Sequence, residues 1–180
     1  MSVTTTTNTG NTYTAIATTT LSSAGTVTFN SIPQTYTDLI LVFNGTLDYA
    51  TDAGSWAKLQ INGDTGANYS STYGWGTGSA TGTNRLNNVN NAYLIHTNDT
   101  NNNTGNTNPS MGMVHFMNYS NTNTYKTYLS RSNAITNNQS VDMVVNLWRS
   151  TAAITSLYLY GDGPNYVAGS TYTLYGIKAA

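Results

Sequence analysis

Cysteine is absent from the 180 residues of this chain. Disulfides, thiolate metal sites and cysteine nucleophiles are therefore excluded, while the redox compartment is left open. Charge is scarce as well: charged side chains make up 7% of residues, where an ordinary domain carries about 25%. Glutamate is missing altogether; the seven acids are all Asp, and three Lys and three Arg leave a net charge of -1. So few cations build no basic face, so phosphate-driven binding has no electrostatic source and no nucleic-acid partner is expected. No window approaches the roughly 18 apolar residues of a membrane-spanning helix, and no membrane partner is expected. The start, Met1-Ser2-Val3 followed by Thr4 to Thr7, is neither basic nor apolar, so no secretory leader is expected. Release from the producing cell would then take another route, such as lysis.

What fills the chain instead is Thr (33 residues) and Asn (25 residues). Both are poor in helix interiors; Thr favours strands and Asn favours turns. The length suits one domain, which would bury roughly 70% of its extended surface without help from metals or cross-links. The low-complexity residues 1–12 are expected to form a flexible arm, and residues 13–180 a single β-sandwich domain.

Short apolar runs recur along that domain between turn residues. Strands are expected near Tyr13–Leu21, Thr26–Ser31, Asp38–Phe43, Ser55–Ile61, Ala92–Thr97, Met111–Tyr119, Thr124–Arg131, Val141–Trp148, Ile154–Tyr160 and Thr171–Ile177. Leu39 to Phe43 is apolar on both faces, as in a central strand. Val141, Val144, Val145 and Trp148 also satisfy a helical spacing, but β-branched residues dominate that run and favour a strand. Asn62-Gly63 predicts a tight turn. Asn98 to Asn108 and the glycine-rich Asn62 to Asn91 read as two long polar excursions. No repeat of 20–50 residues is present, against a propeller or solenoid. The expected fold is all-β, an antiparallel sandwich of about ten strands, most simply a jelly roll.

Catalytic constellations are hard to find. A glycosidase needs two carboxylates about 5–9.5 Å apart. The candidates Asp48, Asp52, Asp64, Asp99 and Asp162 mostly sit beside Gly, Asn or Thr in turns, where Asp bonds its own backbone, and Asp142 on its strand is expected to face solvent. His96 and His115 each stand alone, too few for a zinc site without cysteine. No G-x-S-x-G elbow occurs. Asp48, Asp52 and Asp64 with neighbouring Asn and Thr oxygens offer a calcium cage only without the EF-hand spacing. GWGTGSATG (74–82) lacks the Lys-Ser/Thr of a phosphate loop and reads as a flexible loop. No catalytic residue, metal or cofactor is therefore expected.

Aromatic side chains carry more information. Fourteen Tyr and three Trp combine apolar area with a polar tip, suiting interfaces and sugar platforms alike. Trp56 and Trp148 read as core. Tyr69, Tyr73 and Trp75 fall in the glycine-rich excursion, where they either pack it down or contact a protein neighbour or a glycan. The N-x-S/T triplets at Asn68, Asn98 and Asn118 are what an Asn- and Thr-rich chain yields by chance.

Four segments, FNSIPQTYTDLIL (29–41), QINGDTGANYS (60–70), NLWRSTAAITSLYLY (146–160) and STYTLYGIK (170–178), together resemble a family of bacteriophage structural proteins. Its members serve as capsid decoration, head-fibre or tail-fibre proteins and are frequent in phages of cyanobacteria and marine bacteria. The segments keep the family's order and spread over most of the chain. The resemblance implies a β-sandwich module of the virion surface, made in the host cytoplasm, used in oligomers and often trimeric, without catalytic residues. Room for a single globular unit and no fibre shaft favours capsid decoration, with the major capsid protein or other virion proteins as partners. The alternative is a fibre module recognising a host-surface glycan.

Overall fold

The computed structural model describes residues 12–48, 56–95, 109–134, 140–163 and 165–178. These hold twelve strands and no helix: β1 (Tyr13–Thr20), β2 (Val27–Phe29), β3 (Asp38–Gly45), β4 (Ala57–Ile61), β5 (Tyr69–Gly76), β6 (Thr81–Val89), β7 (Ala92–Ile95), β8 (Ser110–Phe116), β9 (Lys126–Ala134), β10 (Ser140–Trp148), β11 (Leu157–Gly161) and β12 (Thr171–Ile177). They form two antiparallel sheets, one of eight strands in the order β1-β12-β3-β8-β9-β10-β5-β6 and one of four in the order β2-β11-β4-β7. The expected all-β sandwich is what forms. Eight strands face four because β9, β10, β5 and β6 extend the large sheet beyond β1-β12-β3-β8, and the antiparallel sandwich is what is carried forward.

The core lies between the sheets. Leu39, Leu41, Phe43, Val114, Phe116, Tyr172 and Leu174 reach it from the large sheet, and Val27, Phe29, Leu59, Ile61, Leu157 and Leu159 from the small one. Period-two alternation does this sorting, since successive side chains point to opposite faces. Two glycines make room for rings: a Cβ at Gly112 would lie 2.2 Å from Phe43, and one at Gly176 2.3 Å from Tyr36.

Residues 62–91 differ from expectation. The Asn62-Gly63 turn is there, with φ of 54° and 67° and an Asp64 N–H to Ile61 O bond of 2.9 Å. It does not join neighbouring strands, however; it carries the chain from β4 in the small sheet to β5 in the large one. The expected loop 74–82 is the tip of the β5–β6 hairpin, closed by Thr77 N–H to Ala80 O at 2.9 Å with Gly78 at φ 83°. These two strands escaped the sequence because β6 is a sheet edge with few apolar residues and β5 spaces its rings with Ser and Gly.

Val141–Trp148 is a strand, paired to β9 and β5 along its whole length. Its register corrects one expectation: Asp142 is 5% exposed and points inward, while Val141, Met143 and Val145 point outward. A one-residue shift in phase exchanges the two sets, and the pairing with β5 and β9 fixes the phase that places the apolar set outside. The residues 1–11 of the expected arm and the Asn98–Asn108 excursion lie outside the described residues.

Candidate interaction surface

The sequence candidates do not converge. Tyr69 is wholly buried: its hydroxyl accepts from Ile61 N–H at 2.9 Å and donates to Asp64 O at 3.1 Å, and its ring stacks on Trp148. Tyr73 is buried as well, edge-on to Tyr93 at 5.8 Å. Trp75 is half-buried on the same face of β5, its indole lying where a side chain at Gly82 would be. The three sit on a strand rather than a loop, and Tyr69 and Tyr73 have no ring face left for a glycan. Trp148 is core, whereas Trp56 is only half-buried, stacked on Tyr93 at 4.5 Å.

The carboxylates are occupied structurally. Asp64 accepts from Trp148 Nε1 at 2.7 Å, Gly66 N–H at 2.8 Å and Asn68 Nδ2 at 3.0 Å. Burial acts to raise its pKa, but the bonds from Trp148, Asn68 and Gly66 together hold it below the ordinary aspartate value. Asp38 takes His115 Nε2 at 2.8 Å and Asn118 N–H at 2.7 Å. Asp162 pairs with Lys58 Nζ at 2.8 Å. Asp48 is exposed, with its backbone N–H bonded to Asn165 O. Asp52, Asp99 and His96 lie outside the described residues. Among the described residues no three or more His, Asp, Glu or Cys side chains gather around a common point. Lys126 is buried on the inner face of β9, donating to the Thr124 and Thr151 carbonyls; burial lowers its pKa.

What the strands do gather is an apolar surface on the outer face of the large sheet. Pairing sets three rows across β3, β8, β9 and β10: Asn44–Met111–Asn133–Val141, then Val42–Met113–Arg131–Met143, then Ile40–His115–Leu129–Val145. Met111, Val141, Met143 and Val145 are each between 53% and 66% exposed. Met117, one position past the end of β8, is also exposed. Four of the chain's five Met thus stand on this face or at its end. A depression of about 400 Å³ runs among Val42, Met111, Met113, Arg131 and Val141.

No family model, no curated protein and no solved structure matches this chain. The case for this surface therefore stands on its own geometry.

Strands about 4.8 Å apart and rows about 6.8 Å apart give the apolar centre roughly 300 Å², the size at which a patch on a monomer is often functional. Thr18, Thr171, Thr173, Thr72 and Thr83 frame it on the flanking strands. A largely apolar patch with Arg131 and His115 among its rows, inside a hydroxyl rim, is the anatomy of a protein contact, where Arg is enriched. The whole eight-strand face covers roughly 800 Å², one partner's share of a standard interface. Methionine suits such a contact because its unbranched, polarisable chain adapts to an irregular neighbour. The signal was present in the sequence: Val141, Met143 and Val145 alternate, as do Ile40 and Val42, on strands whose other face is already apolar or buried.

Proposed function

We propose that this protein is a non-enzymatic surface module of a phage virion that assembles through the outer face of its large sheet. Its role is capsid decoration as a homo-oligomer, a trimer by the resemblance, in contact with the capsid protein. The observation that carries the reading is the Met- and Val-rich face, whose side chains the described residues leave in water. The resemblance of the four segments supplies the virion. Low charge supports it, because few ions lose their water when such surfaces meet.

The fibre alternative loses Tyr69 and Tyr73 as a sugar platform, since both are buried within the chain. The test is an image of the virion together with particles assembled without the protein. Density on the head and a loss of heat or osmotic resistance are expected. Density confined to the tail tip, with particles of unchanged resistance, overturns the decoration role.

A further inference from the structure

The small sheet has an outer face too, and its chemistry is different. On β11, Tyr158 stands beside Gln60 and Thr28, and Tyr160 beside Lys58, which has Tyr93 on its other side. The rings of Tyr158 and Tyr160 lie nearly parallel, 5.0 Å apart at 17°, and Trp56 and Tyr93 stack at 4.5 Å and 15°. One aromatic ridge thus runs along β11, and a second aromatic pair joins Trp56, the residue before β4, to Tyr93 on β7. Between them lies Lys58, its side chain 13% exposed, with its ammonium on the open Asp162 carboxylate at 2.8 Å.

Outward tyrosines also serve a sheet by packing across strands, and that role alone needs no particular set of polar neighbours. Among the described residues, half-exposed rings are here combined with hydroxyl, amide, ammonium and carboxylate groups, and Lys58 is matched by Asp162. Matched charges give little purchase to an anionic ligand, and a face broken by an ion pair suits an apolar protein poorly. It complements a neutral polyhydroxylated chain, whose C–H faces lie on rings while its hydroxyls meet donors and acceptors. In the Tyr158–Tyr160 pair each ring keeps one face uncovered by its mate. Placement agrees: when the large sheet's outer face is covered, the small sheet is the side turned outward.

We propose that the outer face of the four-stranded sheet binds a neutral oligosaccharide, with Tyr158 and Tyr160 as the stacking ridge and the Lys58–Asp162 pair bonding sugar hydroxyls. The site goes beyond the assembly role and does not depend on it.

The test is a two-dimensional amide NMR titration of the full chain with four probes: maltohexaose, cellohexaose, mannohexaose and chitohexaose. Each is taken to about 10 mM, ample for a shallow site of millimolar affinity. Shifts confined to β4, β7 and β11 with at least one probe are expected. Tyr158→Ala/Tyr160→Ala is expected to weaken binding at least about tenfold. Asp162→Asn, at an exposed position, is expected to weaken it several-fold with an unchanged far-ultraviolet spectrum, and it keeps the test decisive if the double variant fails to fold. Val145→Lys, on the opposite face, is expected to leave binding intact, so that failure of the assembly reading and failure of this one are distinguishable. Silence with all four probes, shifts on the large sheet, or binding indifferent to both site variants overturns the proposal.

Discussion

Replacing Val141 and Val145 together by Lys tests whether copies of this chain meet through the large sheet. Six side chains on that face, Val42, Met111, Leu129, Val141, Met143 and Val145, keep 36–66% of their surface in water. Their combined exposure equals about three fully exposed side chains, and burying each of those contributes about 2 kcal/mol. One face therefore offers about 6 kcal/mol, and two faces in contact about 12. Lost translational and rotational freedom costs at least about 4 kcal/mol, leaving at most about 8 kcal/mol, which corresponds to a Kd no tighter than about micromolar. Each new ammonium would lie unpaired in a contact from which water is excluded, at about 3 kcal/mol or more. Two faces in contact hold four of them, about 12 kcal/mol together, which exceeds the association energy and abolishes the contact. The fold itself is little affected, by under about 1 kcal/mol per site, because both positions are open in the single copy. Sedimentation velocity is the assay, with circular dichroism and thermal unfolding as controls. The parent is expected to be oligomeric at about 100 µM and the variant a 19.3 kDa monomer. A monomeric parent at that concentration, or a variant that assembles like the parent, refutes the reasoning.

Three further outcomes follow from the packing. Asp64→Ala leaves the Trp148 indole and the Gly66 and Asn68 donors without their acceptor and is expected to lower stability by about 2 kcal/mol in chemical denaturation. Because the Asp64 pKa is depressed in the fold, its share of stability is present above the ordinary aspartate value of 3.8 and is lost as pH falls through the folded value, so the variant's acid unfolding curve should be flatter. Burial first pushes Tyr93 and Tyr160 up to about 12, helped by Tyr73 and then Asp162 at Tyr93 and by Asp162 and then Tyr158 at Tyr160, and burial raises Tyr69, Tyr128, Tyr166 and Tyr172 as well. Stability should therefore be full below pH 10 and fall above it by up to about 1.4 kcal/mol per pH unit per tyrosine, with the buried tyrosines ionising together as the strands unfold; ionisation of Tyr69, Tyr128, Tyr166 and Tyr172 in a still-folded protein contradicts the burial. Gly112→Ala forces a methyl against the Phe43 ring and is expected to cost about 2 kcal/mol in thermal or urea unfolding, while Gly63→Ala meets no neighbour and suffers only the backbone cost of its positive φ.

The strand content was legible because Thr and β-branched residues alternate with apolar ones, as in β2, β3 and β12. The turn at Asn62-Gly63 was legible because both residues tolerate positive φ. The sheet it leads into was not, since turn chemistry fixes a local reversal and says nothing of which layer the next strand joins. β5 and β6 were hidden for a related reason: Tyr69, Tyr73 and Trp75 do alternate, but Ser and Gly between them and the polar β6 beside them read as loop. Asp142 was placed outside by its polarity, and pairing along the whole of β10 overrode that preference. The interaction surface was readable in principle. A strand apolar on both faces was taken as central, which holds within the sheet; in a two-layer sandwich, however, a central strand still has one face that the opposite sheet does not cover.

The Lys58–Asp162 ion pair and the His115–Asp38 hydrogen bond, both among the described residues, involve few of the contacts that hold the strands together. A molecule built this way is nearly indifferent to salinity. Screening, which at 1 M salt shortens the reach of charge to about 3 Å, removes little cohesion here, and a strongly hydrated anion such as sulfate tightens apolar burial instead. Dilution from brine to fresh water should leave both the sandwich and its assemblies as they were.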